Sequence, residues 1–477
     1  MHVLLRCDAG GASGFGHLVR CLALAEEAVA RGHRVSVEGD IAGDLALAQV
    51  AAAGARRGPA PEADVVHTDS YRPDWAYPDG VLRSCAADGP FGRRPADLLV
   101  DQTLGAQDEP APPGGVALLG SRYVALRRRV LAHRDPARRP AAQVRSVLVV
   151  LGGTDPLGLA PAVSRLVRRA APSARIAVVA NARTRAELEQ LPGPVRVLDP
   201  VADLAAVMIE HDLVVSAAGT ATWELACLRV PMLLVRAVAN QAAGYQRMLD
   251  RGAALGLGTA ADLDSAAALE AVRRAVSDAQ LRRSMVERAA ALVDGLGSWR
   301  VVGAWEALLQ AHARRPDPPR LTAPPTGRLT ARPATAADAE LLWRWRNDPG
   351  TRAMSRQRGE VQLADHLAWL RDSLGRPDRL LLVVEDGGSP VGTVRWDRLA
   401  GQGWQVSITV DPGRRGQGLG AAVLAAGEVA LRAKDPTGPR LAGVHETNEA
   451  SYRLFLRAGY LPDLPPDRDG FRRLRKS

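Results

Sequence analysis

Cysteine is scarce in this chain, and long apolar runs are missing altogether. Four cysteines, Cys7, Cys21, Cys85 and Cys227, are scattered with no C-x-x-C pair, which argues against both a disulfide framework and a zinc site. Three of them sit in apolar surroundings that suit buried thiols. No apolar run approaches the roughly eighteen residues needed to span a bilayer, and residues 1–6 read as a strand rather than a targeting segment. No membrane partner, no metal and a cytoplasmic location are therefore expected. A basic stripe interleaved with aromatics is also missing. The net charge of +10 comes from 62 basic residues, mostly Arg standing beside Asp and Glu, which reads as composition bias. Nucleic acid is not expected as a partner, whereas positive charge serves phosphate-bearing small molecules equally well.

At 477 residues the chain is too long for one core, at roughly 100 to 200 residues per domain. Residues 311–326, AHARRPDPPRLTAPPT, have no apolar period and read as a semi-rigid linker. Upstream, apolar strands (residues 2–6, 35–38, 146–151, 175–179, 213–216 and 232–235) alternate with helical stretches such as 18–31. This rhythm predicts an α/β class with two Rossmann-type doubly wound domains, over 1–137 and 138–310, and a cleft between them. Residues 327–477 form a third unit.

Three glycine-bearing loops face that cleft. In the first, a strand ends at Arg6 and a helix begins near His17, with Asp8, Gly14 and Gly16 in the turn and Arg20 one helical turn on. Such a turn offers N–H groups to an anion, and an imidazole at its exit titrates near neutrality, as a base taking a proton from water must. His2, His33, His67, His133, His211 and His312 lack this context and read as ordinary surface or core residues. The second loop follows residues 149–151 and contains Gly153, Thr154 and Asp155. The third runs from Ser216 through Gly219 and Thr220 into a helix carrying Glu224. A nucleoside diphosphate fits there, with phosphates on the Gly219 and Thr220 amides and ribose hydroxyls on Glu224. Glu224 equally suits the dipole of a helix start. Asn240 and Gln241 would complete the pocket.

Near the C-terminus a strand ending at Val410 enters the turn Asp411-Pro412-Gly413-Arg414-Arg415-Gly416-Gln417-Gly418-Leu419-Gly420 and then a helix over 421–432. Glycines let the chain approach phosphates, the helix start adds roughly half a positive charge, and Arg415 supplies a side-chain cation. About thirty residues on comes Asn448-x-x-Ser451-x-x-x-Phe455-x-x-x-Gly459-Tyr460. The Asp-x-Asp pairs Asp262/Asp264 and Asp467/Asp469 read as caps and solvated charge. Trp343, Trp345, Trp369, Trp396 and Trp404 read as core, with a hydrophobic wall for a ligand methyl group as the alternative.

Together the Arg415–Gly420 turn and the Asn448–Tyr460 stretch resemble the GNAT family of acyl-CoA-dependent N-acetyltransferases, over residues 327–477. The resemblance implies acetyl-CoA as co-substrate, held by Val410, Arg415, Gly416, Gln417, Gly418, Leu419, Gly420 and Asn448. Many members of that family use a tyrosine where this chain has Phe455, so the proton donor to the thiolate is open among Tyr452, His366, His445, the substrate ammonium and a water. Likewise Gly14-Phe15-Gly16-His17-x-x-Arg20, Leu151-Gly152-Gly153-Thr154-Asp155, the 219–224 stretch and Asn240-Gln241 resemble the UDP-sugar hydrolases of pseudaminic acid biosynthesis, themselves similar to GT-B glycosyltransferases. That resemblance implies His17 as the catalytic residue. It also implies a UDP-amino-sugar substrate, UDP-2,4-diacetamido-2,4,6-trideoxy-β-L-altrose, held by Asp8, Gly14, Gly16, Arg20, Gly153, Thr154, Ser216, Gly219, Thr220, Glu224, Asn240 and Gln241. One chain would then acetylate the 4-amino group and hydrolyse the product. The alternatives are a GT-B glycosyltransferase, and a protein or antibiotic N-acetyltransferase with a nucleotide-sensing N-terminal part.

Overall fold

Strands buried on both faces dominate the first three hundred residues. Residues 146–150 (SVLVV) are all buried, and they alternate between two apolar layers: Val147 and Val149 face one, Leu148 and Val150 the other. Such runs belong to parallel sheets with helices on both faces. The structure, a computed structural model, describes residues 1–10, 15–72, 75–108, 115–152, 155, 157–180, 182–312 and 329–476. The chain divides into two compact units, Met1–Trp305 and Glu306–Ser477.

The first unit holds two sheets. One is formed by β1 (His2–Cys7), β2 (Arg34–Glu38), β3 (Arg56–Arg57), β4 (Val65–Asp69), β5 (Leu82–Ala87), β6 (Leu98–Asp101) and β7 (Val116–Leu119), in the order β3-β2-β1-β4-β5-β6-β7. The other is formed by β8 (Ser146–Val150), β9 (Arg175–Val179), β10 (Val195–Leu198), β11 (Leu213–Ala217), β12 (Met232–Val235) and β13 (Leu255–Gly256), in the order β10-β9-β8-β11-β12-β13. Every pairing in both is parallel. The expected pair of doubly wound sheets is therefore present. Sequence reading did not identify β3, β4, β5, β6, β7, β10 or β13, which are short or carry polar residues. All four cysteines are buried and free.

The second unit has one mixed sheet: β14 (Thr330–Pro333), β15 (Arg379–Asp386), β16 (Ser389–Leu399), β17 (Gly403–Val410), β18 (Arg440–His445), β19 (Leu461–Leu464) and β20 (Phe471–Lys476), in the order β14-β15-β16-β17-β18-β20-β19. Only β17 and β18 pair in parallel. The helix Leu419–Lys434 covers one face, closing a core that includes Trp396, Trp404, Phe455 and Tyr460. Helices Ala339–Asn347 and Leu363–Gly375 cover the other, over Leu381 and Val383. Trp345 lies in that second core, and Trp343 donates to the Val361 carbonyl. Among the described residues no helix is long and apolar enough to cross a membrane.

Candidate functional site

In each sheet of the first unit the chain reverses its direction of winding beside the first strand, at β1/β4 and at β8/β11. Loops diverge at such switch points and leave a crevice beyond the strand ends. Both crevices open on one cavity of about 950 Å³, lined among others by Asp8, Gly16, His17, Arg20, Tyr71, Asp88, Ser216, Gly219, Thr220, Glu224, Asn240 and Gln241. The predicted residues Gly14, Gly153 and Thr154 lie outside the described residues, as does the linker beyond residue 312. Gly16 and Thr220 bring the two walls close: a Cβ on Gly16 would stand 3.1 Å from the Thr220 hydroxyl.

His17 stands in the first turn of the helix Gly16–Ala30 and is buried. Its Nδ1 lies 2.6 Å from Asp69 Oδ1, at the end of β4. Arg20 clamps the same carboxylate, with Nε 2.7 Å from Oδ2 and Nη2 2.6 Å from Oδ1. Burial alone would raise the Asp69 pKa, but the charges of Arg20 and then His17 hold it far below the usual carboxylate range. An ionised Asp69 requires the imidazole proton on Nδ1, which leaves the Nε2 lone pair without a protein partner among the described residues. Arg20 also reaches Asp88 at 3.1 Å, and the Tyr71 hydroxyl donates to Asp88 at 2.6 Å. Asn240, from the other half of the cavity, donates to the Tyr71 oxygen at 2.7 Å, and its own Oδ1 is buried with no protein partner. Asp8 is anchored by the Asp40 amide and the Ser70 hydroxyl.

On the opposite wall the helix Thr220–Leu228 starts at Gly219 with no side-chain cap. The Gly219 amide, expected to hold a phosphate, is instead engaged by the Ala217 carbonyl at 2.8 Å, and the Thr222 amide by the Gly219 carbonyl at 3.1 Å, so of the two expected amides that of Thr220 is the one left for an anion. The comparable end of the helix Ala160–Ala170 is already occupied, since Asp155 accepts from the Leu159 and Ala160 amides at 2.9 Å each. Gln241 accepts from the Ala237 amide, and the Ser216 hydroxyl donates to the Ala217 carbonyl. Glu224 is buried, and burial pushes its pKa up to about 7 against the pull of Arg127 and Arg129. No described residue hydrogen-bonds to its carboxylate.

Sequence reasoning missed Asp69, Tyr71 and Asp88. An aspartate closing a buried strand at a switch point was the available signal, but Val-Val-His-Thr-Asp does not read as a strand. Buried His67, pushed down to about 4 by desolvation, is the core residue expected.

In the second unit β17 pairs with β18 only from Trp404 to Val406; beyond that β17 stays on β16 and β18 on β20, so the strands part over residues 407–410. Val410 stands at the end of that parting, followed by Gly416 and Gly418 at φ 80° and 75°. A Cβ at either glycine would meet nothing within 4 Å, so the turn is open to a ligand. Leu419 is buried and Gly420 packs on Leu454. Gln417 accepts from Arg414 at 3.3 Å. The Arg415 guanidinium, expected to face the phosphates, instead binds Asp348 at 2.7 Å and Thr351 at 2.6 Å. Asn448 serves as helix cap, accepting from the Ser451 amide. Tyr452 lies under the Arg472 guanidinium, 4.3 Å away, and its burial raises the phenol pKa. His366 is buried beside Trp369, and none of its described contacts is with the glycine turn or the free edge of β17. Asp262 belongs to a capping box with Thr259, and Asp467 and Asp469 are exposed, as expected, and pair with Arg356. Among the described residues no group of three or more His, Cys, Asp or Glu could hold a metal ion.

Residues 340–460 match the Acetyltransferase (GNAT) family. Over 174 residues the chain is 29% identical to the spore coat polysaccharide biosynthesis protein SpsG of Bacillus subtilis strain 168, covering 35% of this chain and 51% of that protein. The chain thus spans about half the length of that relative. Among solved structures, an aminoglycoside acetyltransferase AAC(6')-Ib in complex with coenzyme A is 20% identical over 31% of this chain and 94% of its own, with a TM-score of 0.28. A spermidine N-acetyltransferase from Vibrio cholerae in complex with CoA and spermine is 13% identical over 31% and 93%, with a TM-score of 0.29.

Proposed function

We propose that the chain joins its GNAT acetyltransferase domain, residues 340–460, to a UDP-sugar hydrolase, and that the two act in turn on one nucleotide-linked amino sugar. The domain boundaries 1–137, 138–310 and 327–477 belong to this proposal. So does the substrate, UDP-2,4-diacetamido-2,4,6-trideoxy-β-L-altrose, formed by acetylation of the 4-amino group. The similarity to a polysaccharide biosynthesis protein supports a sugar-nucleotide setting.

One observation carries the hydrolase reading: His17, oriented by Asp69, and the uncapped helix start at Gly219 open on the same cavity. Water attacks the anomeric carbon and gives its proton to His17 Nε2. The bond from that carbon to the diphosphate oxygen breaks, and its electron pair leaves with UDP. The Thr220 amide at the helix start, fixed before the reaction, meets the developing charge, while Asp69 stabilises the imidazolium. Base catalysis of this kind supplies about 10² to 10⁴ in rate. Glu224 accepts from the ribose hydroxyls, which would draw its unpartnered carboxylate into hydrogen bonds.

In the acetyltransferase domain, Gly416 to Gly420 and the start of the helix Leu419–Lys434 form the cradle for the pyrophosphate of acetyl-CoA, and the free edge of β17 offers backbone groups to its pantetheine arm. Bound acetyl-CoA supplies the activated acetyl group. Arg415 reaches the phosphates by exchanging Asp348 for them.

The test is incubation with the diacetamido UDP-sugar and no acceptor. Stoichiometric UDP and free sugar are expected, lost in His17→Asn. A glycosyltransferase would release little UDP without an acceptor, and that result would overturn the hydrolase reading.

A further inference from the structure

Arg346 and Arg352, on neighbouring helices of the acetyltransferase unit, have no carboxylate partner among the described residues. Arg346 Nη2 donates to the Gln357 carbonyl at 2.7 Å, while its Nη1 is buried without a partner. Arg352 Nε is buried and unpartnered too. A third guanidinium, Arg395, stands on β16 opposite Leu381 of β15 and Ser407 of β17. Cross-strand partners share a face, and Leu381 faces the layer of the helices Ala339–Asn347 and Leu363–Gly375. Arg395 therefore projects into that layer, where it lies 5.8 Å from the Trp369 ring and shares Asp397 with Arg379. Burial, then the charges of Arg352 and Arg395, push the Arg346 pKa below its ordinary value.

Half-buried cations crowded beside a single carboxylate, Asp397, which Arg395 already shares with Arg379, destabilise one another until an anion joins them. Guanidinium forks match phosphate oxygens in pairs. The position in the fold says which phosphate. Ser407 lies three residues before Val410, roughly 10 Å back along the strand from the glycine turn at about 3.3 Å per residue. Arg395 is thus on the side of the parting away from the pyrophosphate cradle, where the acceptor must approach. Arg352 is kept near by the clamp of Arg415 on Asp348 and Thr351 of its own helix.

We propose that Arg346, Arg352 and Arg395 receive the phosphate or diphosphate ester of the acetyl acceptor, so that the acceptor is an anionic, phosphate-linked amine and polycationic amines are repelled. Identification of that ester with UDP rests on the reading above. The alternative source of the same chemistry is the phosphates of CoA, and the experiment separates the two.

Full-length protein and Arg346→Gln/Arg352→Gln, both carrying His17→Asn so that no UDP is released, are assayed for CoA thiol formation with a UDP-4-amino-sugar. In the double variant KM for the acceptor should rise about 100-fold, with acetyl-CoA affinity by calorimetry within two-fold. The melting temperature should stay level or rise, because uncompensated charge has been removed. Weakened acetyl-CoA binding would assign the cluster to CoA and overturn the proposal, as would an unchanged KM. Inorganic pyrophosphate is titrated into both proteins saturated with acetyl-CoA. The unsubstituted cluster should bind one equivalent more, and equal stoichiometry would overturn the site. If the extra equivalent persists while no UDP-amino-sugar is acetylated, the anion site stands and the identity of the acceptor falls.

Discussion

Asp69 Oδ1 lies 2.6 Å from both His17 Nδ1 and Arg20 Nη2. One buried oxygen thus fixes the proton on the far side of the imidazole from the nitrogen proposed to act. Asp69→Asn presents an amide that can donate to Nδ1 instead, turning the ring to the tautomer whose Nε2 already carries hydrogen. We expect kcat for UDP release to fall about 10² to 10⁴-fold with KM within a few-fold. His17→Asn should do the same, and the double variant should be little worse than either alone. A single variant that kept more than a tenth of wild-type turnover would remove that residue from the mechanism.

The raised pKa of Glu224, about 7 against an ordinary 4.5, makes stability depend on pH. The native state holds this proton more tightly than the unfolded chain does. The protein therefore loses stability as pH rises from about 4.5 to about 7, and the loss is complete above that window. Glu224→Gln removes the dependence. At pH 8 the variant should melt higher than wild type, by a difference worth at most about 3 kcal/mol, and near pH 4.5 the two should coincide. A gap independent of pH would show that the carboxylate is already solvated. The same variant should bind UDP more weakly.

Gly418 and Gly401 both hold a positive φ, 75° and 68°, with open space where a Cβ would stand. A tryptophan at either carries the same backbone strain, about 1 to 2 kcal/mol. Only Gly418 belongs to the glycine turn. Gly418→Trp should abolish acetyl-CoA binding and Gly401→Trp should leave it intact. Equal affinity in the two variants would dissociate the turn from the cofactor.

Each unit encloses its own apolar cores. Expressed separately, residues 1–315 and 327–477 should each fold cooperatively, the first retaining UDP release from an acetylated sugar and the second retaining acetyl-CoA binding. Aggregation of either piece, or loss of its activity, would argue for a shared core.

The strands 175–179 and 232–235 were legible because unbroken apolar runs between turn signals suit only a sheet covered on both faces. The glycine turn after Val410 was legible because positive φ without a Cβ leaves few residue choices. Asp69 was not. Its strand is buried from end to end, yet His67, Thr68 and Asp69 look like loop residues until Arg20, 49 positions earlier in the chain, neutralises the carboxylate. The partner of Arg415 was hidden for a related reason: the sequence supplies a cation at the right spacing, but Asp348, which holds it, comes from a helix start far upstream. Local pattern reveals backbone demands, whereas long-range charge pairing appears only once the chain is folded.

The parting of β17 from β18 leaves three residue pairs to join the sheet of the second unit across that line. It is a seam. Amides along it have no ladder partner on one side, although Val444 and Leu474 beyond it still share one apolar core with Val384, Val394 and Trp396. A ligand lying along the free edge would stitch the seam shut, so its stabilising effect should be local rather than shared through the unit. Hydrogen exchange should show protection on acetyl-CoA binding concentrated in residues 407–410 and 440–476, and little change in β15 and β16. In that sense a bound co-substrate would complete the sheet.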